Sequence, residues 1–193
     1  MYITNSMETL LMKKLLAVVA DGFEETELIA VVDCMRRLGV NVTIAGLTAV
    51  ELKGAHNITL AADALLDNLK PEDFDGIFLP GGLPGATTLY DSAAVGCWVD
   101  EMNRAGKIVS AICAAPIVLA KAGLLEKRRF TMYPGFDQYL NGAKYSSAPA
   151  ESDGNIVTGK GPGAVYAFAG KLAGALDLEK ECAELFKGMF VEL

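Results

Sequence analysis

The sequence predicts an α/β protein in which helices cover both faces of a mostly parallel sheet, a doubly wound sandwich. Short apolar runs alternate with longer amphipathic segments, as strands alternate with helices in βαβ units. The first run, Leu15–Ala20, is apolar on both faces, which is typical of a strand buried in a parallel sheet. With 193 residues, of which 52% are hydrophobic, the chain can fill one core.

The first half of the chain supplies three predicted core strands. After the strand Leu15–Ala20, the acidic segment Glu24–Glu27 suits the start of a helix that runs to about Leu38 and stops at Gly39. The following residues predict a strand Val40–Ala45, a hairpin or edge excursion Leu52–Ala61 with Gly54 in its turn, a short helix Ala64–Leu69 closed by Pro71, and a strand Gly76–Leu79.

The second half continues the alternation. A helix is predicted over 92–105, because Val95, Val99 and Met102 recur at helical spacing. It is followed by a strand Lys107–Ile112, a helix Ala114–Ala122 with Pro116 in its first turn, a short helix near Phe136–Leu140, a strand Asn155–Thr158, and helices Ala164–Leu176 and Leu178–Met189.

One domain is expected over residues 12–193, since no repeat, linker or change of composition divides the chain. The motif Met12-Lys13-Lys14 looks like a natural start of translation. Residues 1–11 are therefore expected to be a disordered extension.

Composition excludes several classes of function. A formal net charge of −7 and a pI of about 4.8 argue against a nucleic-acid binder. The run Leu15–Ala20 is too short to span a bilayer, so no membrane partner is expected. Four widely spaced cysteines without a CxxC pair fit free thiols in the cytoplasm. The single histidine, His56, excludes metal sites that need two, and neither a metal nor a cofactor is predicted.

Cys113 is the first candidate for chemistry. Ligands of doubly wound sheets bind beyond the carboxyl ends of the strands, where the loops carry Glu24–Glu27, Gly81–Gly85 and Cys113. Small neighbours and a sharp strand-to-helix turn predict a nucleophile elbow at Cys113, and the start of the helix would favour its thiolate. The alternative is a small apolar side chain packed in the core, the role expected for the other three cysteines.

Glu27 and the glycine loop are the second candidates. Helical spacing lets one carboxyl of Glu24–Glu27 point back toward Cys113, where a buried, protonated carboxyl would donate a hydrogen bond to a thiolate. The alternative is an acidic first turn in water. The backbone N–H groups of Gly81-Gly82 suit an oxyanion hole with the amide of Ala114, although paired glycines also form ordinary turns.

Two other features are assigned structural roles. The glycines of Gly159–Gly163 lack a phosphate-binding pattern, so a turn before a helix is expected there. His56 is expected at the surface or in a subunit contact, because nothing near it in sequence marks it as a base for Cys113.

In these motifs the chain resembles the ThiJ/PfpI superfamily, and within it the DJ-one branch, from about Lys13 to Leu176. The matching segments, in order, are Asp21–Glu27, Val32–Arg37 with Gly39, Leu79–Gly82, Ala111–Pro116 and Gly161–Gly163. Several ordered motifs at matching spacing make the resemblance specific.

The resemblance implies a flavodoxin-like sandwich of the class I glutamine amidotransferase type, a homodimer, and Cys113 as a reactive, oxidation-prone cysteine. It further implies Glu27 as the carboxyl partner of that cysteine, Gly82 and Ala114 as amide donors, and Glu24, Gly81 and Tyr133 as pocket residues.

The chain departs from the pattern in one respect. Many relatives carry a histidine directly after the cysteine or before a later proline, and here those positions hold Ala114 and Tyr133. Without a Cys–His relay, neither a peptidase nor a glutamine amidotransferase is expected.

Two functions are therefore considered. The first is a cofactor-free glyoxalase or deglycase that protects against reactive 2-oxoaldehydes, with Cys113 as nucleophile and Glu27 as proton carrier. The second is a redox-sensing or chaperone-like protective protein that uses reversible oxidation of Cys113.

Overall fold

A central seven-stranded sheet organises the protein. The computed structural model describes residues 12–192, so the predicted extension 1–11 lies outside the described residues. The strands are β1 Lys14–Val19, β2 Asn41–Gly46, β3 Glu51–Lys53, β4 Thr59–Ala61, β5 Ala64–Leu65, β6 Gly76–Leu79, β7 Ile108–Ile112, β8 Ala150–Asp153 and β9 Ile156–Gly159. The helices are α1 Glu25–Arg37, α2 Gly85–Asp91, α3 Ala93–Arg104, α4 Pro116–Lys121, α5 Val165–Ala175 and α6 Glu179–Gly188.

The sheet is parallel except at one edge. Its order is β5-β2-β1-β6-β7-β9-β8, and only β8 runs antiparallel, to β9. The strands β3 and β4 form a separate antiparallel hairpin, as predicted for Leu52–Ala61. The chain passes from β1 to β2 on one side and later to β6 on the other, so the strand order reverses between β1 and β6. Parallel sheets of this kind bind ligands at such a reversal.

Two apolar layers enclose the sheet, which confirms the predicted doubly wound sandwich. Leu16 and Val18 of β1 belong to the core beneath α3 and α4, whereas Leu15, Ala17 and Val19 belong to the core beneath α1 and α5. Alternate side chains of a strand point to opposite faces, so a strand that is apolar throughout requires cover on both sides. Among the described residues, no helix combines the length and the apolarity needed to cross a membrane.

One local prediction is wrong, and two elements of the structure are not predicted from the sequence. Ala64–Leu69 does not form a helix: β5 pairs with β2, and a single 3-10 turn Leu66–Asn68 follows. The preceding Asp63 accepts a hydrogen bond from the Ile44 N–H at 2.8 Å, which holds this segment against the sheet. Helix α2 was not predicted because it begins within a glycine- and proline-rich loop. Strand β8, with the sequence AESD, was not predicted because it lacks apolar alternation.

Candidate active site

Three loops meet at the carboxyl ends of β1, β6 and β7. The loop after β1 leads into α1 through Glu24, whose N–H donates a hydrogen bond to the Gly81 carbonyl in the loop after β6, at 2.9 Å. The turn after β7 carries Cys113. The first two loops flank the strand-order reversal, and β7 is the next strand along the sheet.

Cys113 occupies a strained turn between β7 and α4. Its φ of +63° lies in the left-handed region, which non-glycine residues seldom adopt. The backbone on either side holds it there: the Cys113 N–H donates to the Gly159 carbonyl at 2.9 Å, and its carbonyl accepts from the Tyr133 N–H at 2.8 Å. This is the geometry of a nucleophile elbow, which directs a half-buried side chain away from the sheet.

Glu27 lies in the first turn of α1 and is completely buried. Its Oε2 accepts a hydrogen bond from the Gly81 N–H at 2.8 Å. Its Oε1 lacks a well-formed hydrogen bond to the described residues. The thiol of Cys113 is close enough to this carboxyl to lower the pKa of Glu27 by hydrogen bonding. A buried carboxyl with one free oxygen is thus placed beside the sulfur.

Gly81 makes room for this pair. A Cβ atom at position 81 would lie 2.6 Å from the Cys113 Cβ and 2.6 Å from the Glu27 Oε2. Those two atoms are therefore no farther apart than twice that distance. Any side chain at position 81 would push the thiol and the carboxyl apart, so only glycine fits without rearrangement.

Burial controls the charge of the pair. Loss of hydration raises the pKa of Glu27 from its ordinary 4.5 to about 7, against the lowering effect of the Gly81 N–H and the Cys113 thiol. Burial also raises the pKa of Cys113 to about 12, and the negative charge of Glu27 adds to this, while the amides of Ala114 and Gly82 lower it. The two groups are therefore expected to hold one proton between them over a wide range of pH.

The expected effect of a helix start on Cys113 is not the dominant one. Helix α4 begins at Pro116, not at Ala114, and is only six residues long. The amides of Ala114 and Gly82 lower the pKa of Cys113, which is the expected direction, but burial and the charge of the neighbouring carboxyl raise it by more. Protonation of Glu27 removes its repulsion of a thiolate.

A cavity of about 320 Å³ opens beside the thiol. This volume is at the lower end of the range for small-molecule sites, roughly 300–1,000 Å³. The cavity is lined by Glu24, Ala55, His56, Gly82, Leu83, Cys113, Ala114, Tyr133 and Phe136. Of the predicted pocket residues, Glu24 and Tyr133 are in this lining. Gly81 is not, and its contribution is to hold Glu27.

His56 reaches this cavity, although nothing near it in the sequence relates it to Cys113. The β3–β4 hairpin folds over the loop after β1, and the Ala55 N–H donates to the Phe23 carbonyl at 2.8 Å. The imidazole Nδ1 lies 2.9 Å from Glu25 Oε2 and 3.4 Å from Glu24 Oε2. The prediction of a surface position is right, since 69% of the side chain is exposed.

The carboxylates around His56 form an ion pair with it. Hydrogen bonding to Glu25, followed by the charges of Glu24 and Glu25, raises the pKa of His56. Burial alone would raise the pKa of Glu25, but hydrogen bonds from His56 and from nearby backbone amides outweigh it and lower that pKa. Glu24, Glu25 and His56 have possible metal-ligand atoms within 4.8 Å of one another, and among the described residues they are the group that could hold a metal ion. The ion pair already occupies the Nδ1 atom and the Glu25 carboxylate.

Ala55, Leu83 and Phe136 complete the cavity and were not singled out in the sequence. They are apolar residues in irregular segments, and no pattern of spacing relates them to Cys113. The position of Leu83 directly after Gly82 is a signal that could have indicated its place in the cavity. Phe136 and Ala55 depend on how the later loop and the hairpin fold back over the sheet edge.

Fold and site together define a class: a doubly wound protein with an elbow cysteine beside a buried glutamate at the strand-order reversal. Comparison with known families places the chain within that class. The DJ-1/PfpI family matches residues 13–175, and the chain belongs to this family.

Several characterised or solved proteins are similar over nearly the whole chain. Protein dj-1beta of Drosophila melanogaster is 37% identical over 182 residues, covering 93% of this chain and 97% of that protein. The crystal structure of Drosophila melanogaster DJ-1beta superposes with a TM-score of 0.89 at 35% identity, covering 95% of this chain and 100% of that one.

Two further relatives bear on function. A protein of Pyrococcus horikoshii named as a deglycase is 34% identical over 157 residues, covering 80% of this chain and 94% of that protein. A structure of oxidized DJ-1 from Toxoplasma gondii has a TM-score of 0.88 at 30% identity, covering 94% of this chain and 100% of that one.

Proposed function

We propose that this protein is a cofactor-free glyoxalase or deglycase that acts on reactive 2-oxoaldehydes in protection against carbonyl stress. The observation that carries the proposal is the pairing of the elbow cysteine Cys113 with the buried carboxyl of Glu27 at the edge of a small cavity. The relative named as a deglycase supports the same reaction class.

The reaction begins with one shared proton. Transfer of that proton to Glu27 leaves a thiolate on Cys113, which accepts hydrogen bonds from the amides of Gly82 and Ala114. The thiolate sulfur attacks the aldehyde carbon, and the aldehyde oxygen takes the proton from Glu27, which gives a hemithioacetal. Glu27, now a carboxylate, is the base within reach of the C–H bond at that carbon.

The remaining steps move hydrogen between adjacent carbons. Glu27 removes the proton from the former aldehyde carbon and returns it to the neighbouring carbon. The hydroxyl on the sulfur-bearing carbon loses a proton and the former ketone oxygen gains one, so the hemithioacetal becomes a thioester of a 2-hydroxy acid. Water then cleaves the thioester, releasing the acid and restoring the thiol. The sum is one 2-oxoaldehyde and one water converted into one 2-hydroxy acid, with no change in redox state overall.

Replacing the sulfur tests this proposal. Turnover of methylglyoxal to lactate is measured for the wild type, for Cys113→Ser, and for Cys97→Ser, in which the exposed cysteine is replaced. We expect Cys113→Ser to lose at least 100-fold in kcat/KM, as expected for loss of a nucleophile, and Cys97→Ser to retain full activity. Full turnover by Cys113→Ser would overturn the proposal.

A redox role is the second candidate function. An oxidised sulfur on Cys113 would lie beside the Glu27 carboxyl, whose Oε1 makes no hydrogen bond to the described residues. In that reaction the thiolate attacks one oxygen of hydrogen peroxide, forming a sulfenic acid and releasing hydroxide, and a second peroxide gives the sulfinic acid. The similarity to oxidized Toxoplasma gondii DJ-1 supports this role. Mass spectrometry after mild peroxide should show oxidation of Cys113 before that of Cys97, and the reverse order would contradict it.

The assembly and the setting are also proposals. We infer one domain over residues 12–193, a homodimer like that implied by the DJ-one resemblance, and a cytoplasmic location consistent with four free thiols. Light scattering during gel filtration should give twice the chain mass of 20.4 kDa. A mass equal to that of a single chain would contradict the dimer.

A further inference from the structure

His56 is the basic side chain of the cavity that contains Cys113. The other lining residues are acidic, neutral or apolar. Its position is fixed by Glu25, whose Oε1 accepts hydrogen bonds from the N–H groups of His56 at 2.7 Å and Ile58 at 3.3 Å. Glu25 itself is buried, so the loop that carries the imidazole is attached to a rigid point of α1.

The same carboxylate also orients the ring. Glu25 Oε2 lies 2.9 Å from Nδ1, which keeps a proton on that nitrogen. The other ring nitrogen, Nε2, makes no hydrogen bond within residues 12–192. An imidazole held through Nδ1 with Nε2 free can release or accept a proton at Nε2, the arrangement that carboxylate–histidine pairs use in catalysis.

We propose that His56 is a second catalytic residue, which transfers protons between its Nε2 and the substrate oxygens at the mouth of the cavity, with Glu25 as its positioning residue. The inference rests on the proposed function and deepens it. Two protons must be exchanged with the substrate oxygens while Glu27 moves the proton between the two carbons. We assign both of these exchanges to His56.

Each proton that moves in this rearrangement passes through Glu27 or His56. While Glu27 takes the proton from the sulfur-bearing carbon, the electron pair forms a carbon–carbon double bond and the ketone oxygen takes a proton from His56 Nε2, which gives an enediol. Glu27 then protonates the neighbouring carbon, and the hydroxyl on the sulfur-bearing carbon returns a proton to Nε2 as the thioester carbonyl forms. His56 and Glu27 both end in the state in which they began.

The surrounding charges indicate which substrates this site favours. Glu24 and Glu25 flank the imidazole, and Glu27 lies deeper, so the net charge near the opening is negative even when His56 is protonated. A neutral dicarbonyl can approach without repulsion, whereas an anionic oxoacid cannot. The site therefore fits a neutral 2-oxoaldehyde whose second oxygen accepts a hydrogen bond.

Two substitutions at position 56 separate the two ring nitrogens. In His56→Asn, the side-chain amide replaces Nδ1 beside Glu25 but offers no group at the place of Nε2. In His56→Gln, the longer amide offers an N–H donor near that place. Both keep the backbone N–H that binds Glu25. We expect kcat for methylglyoxal to fall about 100-fold in His56→Asn, more than KM rises, and distinctly less in His56→Gln.

A binding readout makes the inference independent of turnover. Methylglyoxal that forms a hemithioacetal on Cys113 protects the thiol from iodoacetamide. Loss of one hydrogen bond from Nε2 should raise the half-protecting concentration about tenfold in His56→Asn, with protection measured relative to the alkylation rate of the same variant without methylglyoxal. Glu25→Gln, which keeps an acceptor near the loop but loses the charge, should give an intermediate shift.

The outcomes of the two assays are distinguishable. If wild type shows no Cys113-dependent turnover but the protection shift is seen, the proposed function fails and the contact of His56 with the substrate stands. If turnover depends on Cys113 but His56→Asn keeps wild-type kcat and wild-type protection, the inference about His56 is overturned alone. Absence of any protection in the wild type would overturn it as well.

Discussion

Removal of the charge from Glu27 should change how the stability of the protein depends on pH. The perturbation is Glu27→Gln, which keeps an oxygen to accept the Gly81 N–H at 2.8 Å but cannot ionise. Burial raises the pKa of Glu27 from 4.5 to about 7 in the folded state. Because the folded pKa is the higher one, the folded state binds more protons between those values. The contribution of Glu27 to stability is therefore complete below pH 4.5 and is lost as pH rises through 7.

The size of the effect follows from the shift. A pKa displaced from 4.5 to about 7 corresponds to about 3 kcal/mol, lost at about 1.4 kcal/mol per pH unit within that interval. Between pH 4.5 and 8 the free energy of unfolding of wild type should fall by about 3 kcal/mol more than that of Glu27→Gln. All other titrating groups are common to the two proteins, so their effects cancel in the comparison.

Urea unfolding at half-unit steps from pH 4.5 to 8 measures this difference, provided that the m-value stays constant. Glu184→Gln, at an exposed position on α6, is the matched control and should remain parallel to wild type throughout. If Glu27→Gln is also parallel to wild type, the buried carboxyl does not carry the raised pKa, and the reasoning about the pair is refuted.

Two further substitutions test the surroundings of the site. Gly81→Ala places a Cβ 2.6 Å from the Cβ of Cys113. It should lower the alkylation rate of that thiol at least tenfold and destabilise the fold by about 1–3 kcal/mol. Gly163→Ala is the control and should change neither, because a Cβ at position 163 meets open space. Glu25→Gln should lower Tm most between about pH 4.5 and 6.5. The stabilisation from Glu25 is lost as pH falls through its lowered folded pKa, and that from His56 is lost as pH rises through its raised folded pKa. Differential scanning calorimetry across pH 4 to 9 tests this, and a Tm difference that is constant over the range would contradict the ion pair.

Local patterns were sufficient for most of the fold because the core strands are strongly apolar. Strand β1 needs cover on both faces whatever its neighbours are, and this alone indicates a parallel sheet between two helical layers. Strand β8 carries no such pattern. Its four residues AESD are held by pairing with β9, which is a tertiary contact without a local signal.

The same distinction applies to the site. Cys113 and Glu27 were found because each follows a core strand of a parallel sheet, and the carboxyl ends of such strands meet at one edge. His56 belongs to a hairpin outside the main sheet, and its place is decided by contacts with Phe23 and Glu25 after folding. Spacing along the chain does not reveal those tertiary contacts. The sequence therefore predicts the surface position of His56 but not its place in the lining of the cavity.

If Glu27 and Cys113 share one proton, the alkylation rate of Cys113 must depend on pH through that proton. The rate of reaction with iodoacetamide is followed by mass spectrometry of the Cys113 peptide from pH 5 to 10, in wild type and in Glu27→Gln. We expect the wild-type rate to rise with an inflection near pH 7, where the pair loses its first proton, and we expect no such inflection in Glu27→Gln. The same inflection in both proteins would show that the carboxyl does not control the thiol.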